Sequence, residues 1–279
     1  MRFAVAVVSA PGYAHSAAFA EVAEGLHCAL LALGYDCILT DRLDLIDRCT
    51  IVLGSNLLDR FGIEPPTNSI LYNLEQVDSD SGWMTPALLE TFRRYPVWDY
   101  SEVNIERLAA WGVPRPVHVP IGYVPQLARI APGPEDVDVL FYGSMNDRRF
   151  AVLEELRARG FRVESIFGIY GADRDAWIAR SKIVINIHYF QAKVFEIVRV
   201  SYLLANKRAV VSERSADLAQ ERGLESGVAF AEYDGLVDRC VELLGDEKAR
   251  RELAERGHRI FSARSQAEIL KPILPAGPD

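Results

Sequence analysis

The chain has 279 residues, and its 31 Lys and Arg against 39 Asp and Glu leave a net charge of −8. Hydrophobic residues make up 49% and charged residues 25%, the balance of a soluble globular protein with one large domain or two ordinary ones. The acidic balance argues against a nucleic-acid partner, which needs a basic footprint, but leaves room for a local basic pocket. No stretch approaches the ~18–20 consecutive apolar residues of a membrane span, so stable membrane insertion is not expected. Cys28, Cys37, Cys49 and Cys240 show no CxxC spacing and read as free thiols of a reducing, cytoplasmic compartment.

The predicted elements alternate in chain order. "FAVAVVS" (3–9) is a continuous apolar strand, followed by a helical pattern over 16–33 that stops at Gly34. Short buried strands are expected at 36–40, 49–54, 69–75 and 97–101, then a helix over 102–111 and a strand at 117–123. The Pro-, Gly- and acid-rich stretch around 125–136 breaks the rhythm and reads as a linker. The alternation resumes with strands at 137–144, 161–167, 182–188, 208–213 and 228–232. Helices are expected over 148–159, 173–180 and 194–206, and through about 262. Continuous apolar strands separated by helices imply parallel sheets covered on both faces. The expected fold is therefore α/β: two Rossmann-like, doubly wound parallel-sheet domains facing a cleft. The first spans 1–124 and the second, with terminal helices, 137–279.

Ligands of such sheets bind outside the carboxyl ends of the strands. A hydride-transferring enzyme of this build should carry GxGxxG after an early strand. The turns "SAPGYAHS" and "YGSMNDRR" do not match it, which excludes that reading.

Two junctions carry chemistry. In "FYGSMNDRRFAVLEELRARGF" (141–161), Gly143 and Ser144 permit a tight turn, and Arg148 and Arg149 lie in the first turn of a helix. Cations there oppose the helix dipole unless an anion sits between them and the helix end, as a diphosphate would. The structural alternative has Asp147 capping the helix and both arginines in solvent, and it is favoured for Arg149. In "INIHYFQAKVFEIVR" (185–199), a buried strand runs into a loop with His188 and Lys193, and Glu196 opens a nearly all-apolar helix. Polar groups at the mouth of a buried helix need partners. Arg199 could serve Glu196 in that way.

"HYFQAKVFEIVRVSYLLANKRAVVSE" and "FYGSMNDRR" resemble the donor-binding domain of GT-B-fold glycosyltransferases. The resemblance is especially to the group 1 glycosyl transferases and their spore-maturation-like relatives, over roughly 137–235. In that family an acid, seven residues and a second acid follow a strand. Glu196 matches the second acid, whose implied role is to hold the nucleotide ribose, while His188 stands in place of the first. The resemblance implies that Lys193 and Arg148, with the Gly143–Ser144 turn, approach the donor diphosphate. It also implies a nucleotide-sugar donor, a hydroxyl acceptor such as a glycan, a lipid-linked glycan, a protein or a metabolite, and retention of configuration. His188 would meet the donor sugar or its phosphate.

No metal or other cofactor is expected, because the DxD string Asp136-Val137-Asp138 lies before a strand rather than at its carboxyl end. The first domain would receive the acceptor. His15, after the first strand, and Glu75, in "LYNLEQ", are the candidate bases. Each has an alternative as an ordinary helix-start or solvated loop residue. Trp98, Asp99 and Tyr100 could form a sugar platform, with Trp98 in the core as the alternative. A nucleotide-sugar epimerase and a silent binding or scaffold protein remain the competing functions.

Overall fold

The computed structural model describes residues 1–9, 12–216 and 218–274. Ala10 and Pro11, in the turn "SAPGYAHS" after the first strand, lie outside the described residues. The chain divides into two compact units, one formed by Met1–Gln126 with the segment from Arg264 onward, the other by Leu127–Ala263.

The first unit contains β1 (Arg2–Val7), α1 (Ala20–Ala32), β2 (Asp36–Thr40), β3 (Cys49–Leu53), β4 (Ser69–Asn73), α2 (Pro86–Arg94), β5 (Val97–Asp99), α3 (Glu102–Ala110) and β6 (Val117–His118). The strands are all parallel in the order β2-β1-β3-β4-β5-β6. Phe3, Ala4, Val5 and Ala6 are all fully buried, which explains why β1 is apolar without alternation. Helix α2 was not anticipated. Thr85 Oγ1 accepts from Leu88 N at 3.1 Å, Pro86 occupies the first turn, and Leu88 and Phe92 enter the core. Strand β4 ends at Asn73 and β5 at Asp99, so Glu75 belongs to a loop rather than to a strand end.

The second unit contains β7 (Val137–Tyr142), α4 (Asp147–Ala158), β8 (Val163–Ile166), α5 (Gly171–Arg180), β9 (Ser181–Asn186), α6 (Ile197–Ala205), β10 (Val210–Glu213), α7 (Leu218–Arg222), β11 (Ala229–Ala231), α8 (Leu236–Gly245) and α9 (Glu247–Ser262). Its parallel sheet runs β11-β10-β9-β7-β8. The order reverses between β7 and β9, which opens a crevice at their carboxyl ends. Phe141, Leu153, Leu156, Ile183 and Ile185 are fully buried at the centre of the core, each contributing about 1.5–3 kcal/mol.

Two expected boundaries move. The segment 125–136 is not a free linker from Leu127 on. Asn206, at the end of α6, accepts from the amides of Arg129 (2.8 Å) and Ile130 (2.7 Å) and donates to the Leu127 carbonyl (2.8 Å). Helix α10 (Gln266–Leu270), assigned by sequence to the second domain, belongs to the first unit. Gln266 N donates to Tyr123 O at 3.0 Å, and Gly122 N donates to Gln266 Oε1 at 2.6 Å. Asp136 and Asp138 lie before and within the start of β7. Asp136 pairs with Arg162 and Arg180, and Asp138 with Lys182. Among the described residues no helix is long and apolar enough to cross a membrane.

Candidate functional site

Residues following β7 and β9 and at the end of β10 converge at the carboxyl ends of the three central strands of the second unit. After β7, Gly143 takes φ +138°, a conformation essentially reserved for glycine. A Cβ there would stand 2.8 Å from Arg199 Nη2. We expect Gly143→Ala to cost about 1–3 kcal/mol, read as a lower urea midpoint. Ser144, beside it, is exposed, and its carbonyl accepts from Arg149 Nη1 at 2.7 Å.

Helix α4 is capped by Asn146 rather than by Asp147, the Asn146 Oδ1 accepting from Arg149 N at 3.0 Å. Neither arginine is the solvated side chain of the structural alternative. Arg149 is 3% exposed; its Nε and Nη2 donate to the Ile187 carbonyl, and its guanidinium lies over the Phe141 and Tyr189 rings. Burial, reinforced by Arg199, pulls its pKa down to about 9. Arg148 donates through both Nη atoms to Glu213, at 2.8 and 2.6 Å, through Nη1 to the His188 carbonyl at 3.0 Å, and stacks over Tyr233.

Glu213 terminates β10 and is fully buried. Besides Arg148 it accepts from the His188 amide (3.0 Å) and meets Lys193 Nζ at 3.2 Å. Burial raises its carboxyl, but Arg148 and then His188 overcome that and hold it below the usual range. Lys193 itself takes a left-handed φ of +46°. Its neighbours in the loop after β9 complete the site. His188 is fully buried, with Nδ1 2.8 Å from Glu196 Oε2, an ion pair when the imidazole is protonated. The approach does not form a hydrogen bond, and Nε2 has no hydrogen-bond partner among the described residues.

Glu196 is the N-cap position of α6. Its Oε2 accepts from Asn186 Nδ2 at 3.0 Å. Among the described residues Oε1 has no hydrogen-bond partner, and Arg149 Nη2 stands 3.8 Å from it. Burial raises this carboxyl too, yet the attraction of His188, then of Arg199 and the Asn186 amide, brings it to about 2. Arg199 reaches Glu196 through space; its Nη1 donates to Asn186 Oδ1 at 2.7 Å. The structure thus gathers Gly143, Ser144, Arg148, Lys193, Glu196, Arg199 and His188 at one sheet edge. The sequence reading passed over Glu213 and assigned Arg149 to solvent. The signal for Glu213 was an acid closing the apolar run "RAVVSE".

In the first unit, Glu75 lies in the loop after β4, with Asn56 Nδ2 donating to its Oε1 at 3.3 Å. Burial pushes its pKa up to about 7. His15 sits in the short 3-10 segment Ala14–Phe19 and meets the Tyr13 ring edge-on at 5.3 Å. The Tyr13 hydroxyl is raised by burial and by the Glu75 charge, so Tyr13 faces both candidate bases. Trp98, Asp99 and Tyr100 are 4%, 0% and 2% exposed, which removes the sugar platform and bears out the core alternative for Trp98.

No protein-family model matches the sequence. Three uncharacterized proteins of Acanthamoeba polyphaga mimivirus are similar to it. One is 29% identical over 66% of this chain and 62% of its own length. The others are 29% and 30% identical over 54% and 55% of this chain, and only 18% and 22% of theirs. The chain therefore spans less than two thirds of each relative. Among solved structures, HepE of Anabaena in complex with UDP-glucose aligns over 98% of both chains, at 11% identity and TM-score 0.62. AviGT4, a glycosyltransferase involved in avilamycin A biosynthesis, aligns over 98% of this chain and 96% of its own, at 16% identity and TM-score 0.59. T4 phage BGT in complex with UDP and Mn2+ aligns over 98% of each chain, at 15% identity and TM-score 0.61. The chain has the fold of the GT-B glycosyltransferases, with two Rossmann-like parallel-sheet units in one polypeptide.

Proposed function

We propose that the protein is a glycosyltransferase that moves a sugar from a nucleotide-activated donor to a hydroxyl acceptor. One observation carries the reading: among the described residues, Arg148, Arg149, Lys193 and Arg199 share one strand-edge site with two carboxylates, and Glu196 Oε1 and His188 Nε2 have no hydrogen-bond partner. The surplus positive charge suits a diphosphate, and the unused polar atoms suit the hydroxyls of ribose or sugar. Departure of the sugar leaves negative charge on the diphosphate, which fixed guanidinium and ammonium groups stabilise without a metal ion.

In this reading Glu196 holds the ribose, as an acid kept ionised far below neutral pH can. His188 takes the sugar or phosphate side, and Arg148 and Lys193 lend charge from behind Glu213. Retention of configuration needs no base in the first unit. The inverting alternative draws on Glu75, an acid in the loop after β4 whose carboxyl burial pushes up to about 7, the range suited to a group that takes an acceptor proton.

The test is calorimetric titration of wild type and Glu196→Ala with UDP and other nucleoside diphosphates in the presence of a chelator. We expect one nucleotide to bind wild type and the variant to lose about 1–3 kcal/mol, the scale of a charge-assisted hydrogen bond. No binding to wild type gives precedence to the scaffold reading. Binding that ignores Glu196→Ala removes its assigned role. Turnover of donor without added acceptor would favour the epimerase.

A further inference from the structure

A second polar network, fully buried, stands at the carboxyl edge of the first sheet. Asp99 closes β5, and the sheet register places it directly opposite Asn73, the last residue of β4. Asp99, Asn73 and Asn104 are all 0% exposed. Asn73 Nδ2 donates to Asp99 Oδ2 at 2.6 Å and to the Glu75 carbonyl at 2.9 Å. Asn104, in the first turn of α3, does the same: its Nδ2 reaches Asp99 Oδ1 and Oδ2 at 3.1 and 3.2 Å, and the Glu75 carbonyl at 3.0 Å. The carboxamide oxygens take two backbone donors of the loop. Asn73 Oδ1 accepts from Glu75 N at 3.3 Å, and Asn104 Oδ1 accepts from Val77 N at 3.0 Å. Asp99 also accepts from Ser101 N at 2.9 Å.

Each carboxamide therefore spends one N–H on the carboxylate and the other on a single backbone carbonyl. With its donors committed, neither amide can flip without leaving a buried group unpaired. The object held is the peptide unit of Glu75. A sheet edge does not require this, since β4 has already ended; the same loop could leave its carbonyl to water at little cost. Burial lifts Asp99 to about 7 against the donors of Asn73, Ser101 and Asn104. Maintaining a buried carboxylate here is costly, which suits a positioning role rather than simple stabilisation.

We propose that Asp99 is a positioning residue, which acts through the carboxamides of Asn73 and Asn104 to fix the backbone of Glu75 and so to aim its carboxyl. The proposal rests on the reading of Glu75 as the residue that takes the acceptor proton. Its role for Asp99 is tested without turnover. Glu75 is titrated by side-chain carboxyl 13C NMR, assigned with Glu75→Gln, in wild type, Asp99→Asn and Asn104→Ala. Amide hydrogen exchange is followed at Val77 and, as a control for global opening, at Leu71 in β4.

Loosening the clamp lets water reach Glu75. Both variants should then lower its titration midpoint by at least one pH unit and speed exchange at Val77 at least tenfold, with Leu71 unchanged. Asn104→Ala keeps the Asp99 charge, so a shift in Asp99→Asn alone would mean a Coulomb effect and overturn the proposal. An unmoved midpoint in both variants would also overturn it. If Asp99→Asn does not fold, Asn104→Ala decides by itself. Titration of the same variants with UDP and the other nucleoside diphosphates keeps the two readings apart: a moved midpoint with no nucleotide binding upholds the clamp and sinks the transferase reading, and the reverse pattern does the opposite.

Discussion

Arg148→Ala should lower the stability of the second unit by about 3 kcal/mol, the low end for removing one partner of a buried ion pair. The reason is Glu213. Its carboxylate is fully buried and receives both guanidinium nitrogens of Arg148, so the truncation strands a charge that water cannot reach. Lys193 and the His188 amide remain as partners, which keeps the loss from the upper end of the range. Glu213→Gln added to Arg148→Ala should restore much of the stability, because the stranded charge is gone. The pair also carries a pH signature. Glu213 is held below its ordinary range in the folded protein, so its contribution is present above the unfolded value and lost as pH falls through the folded one. Urea unfolding of wild type and both variants at neutral and acidic pH measures all three effects. An Arg148→Ala midpoint equal to wild type would show that Glu213 does not depend on this partner.

Glu75→Gln should reduce the transfer rate by about 10²–10⁴-fold, the usual range for loss of a general base, while leaving nucleotide affinity unchanged. The groups facing Glu75 are Asn56, which donates to it, and Tyr13, with Arg60 over the Tyr13 ring and Asp99 beyond the two carboxamides. Burial dominates and sets its midpoint at about 7, so wild-type rate should fall as pH drops below 7 and level off above it. The variant should lose that limb. Its effect on stability has the opposite sign. A carboxyl raised above its unfolded value stabilises the fold at low pH and loses that contribution as pH rises from about 4.5 to 7. The lost contribution is up to about 3 kcal/mol by linkage. A rate unaffected by Glu75→Gln with a flat pH profile would favour retention, in which the leaving diphosphate accepts the acceptor proton.

The fold was legible in the sequence because parallel strands buried on both faces leave long apolar runs such as "FAVAVVS" and "KIVINIH". Helix α2 was missed although Thr85 and Pro86 marked its start and Leu88 and Phe92 stand one helical turn apart, since nine residues are fewer than the window over which a helical period is read. In the second unit, Gly143, Arg148, Lys193 and Glu196 could be singled out from sequence because each sits at a strand-to-helix turn. Glu213 and Arg149 were not, because their burial depends on how β10, β9 and α4 lie beside one another. Asp99 shows the same gap. Its partners lie 26 residues before it and five after it, and only the β4–β5 register makes Asn73 its neighbour. One strand's sequence does not contain the register of the next.

The return of the chain to its first unit bears on how the molecule is made. Gly122 and Tyr123 end the first pass through that unit, and their amides wait for Gln266 and Arg264. A side chain at Gly122 would collide with the backbone of Arg264 and Gln266, so the seam admits only glycine at this contact. In topological terms the second unit is an insertion between two parts of the first. Emerging from the ribosome as one uninterrupted stretch, it can close its sheet while its host still lacks the piece that seals it. The unit that carries Arg148, Lys193 and Glu196 is thus completed early, and the unit that carries Glu75 is completed last.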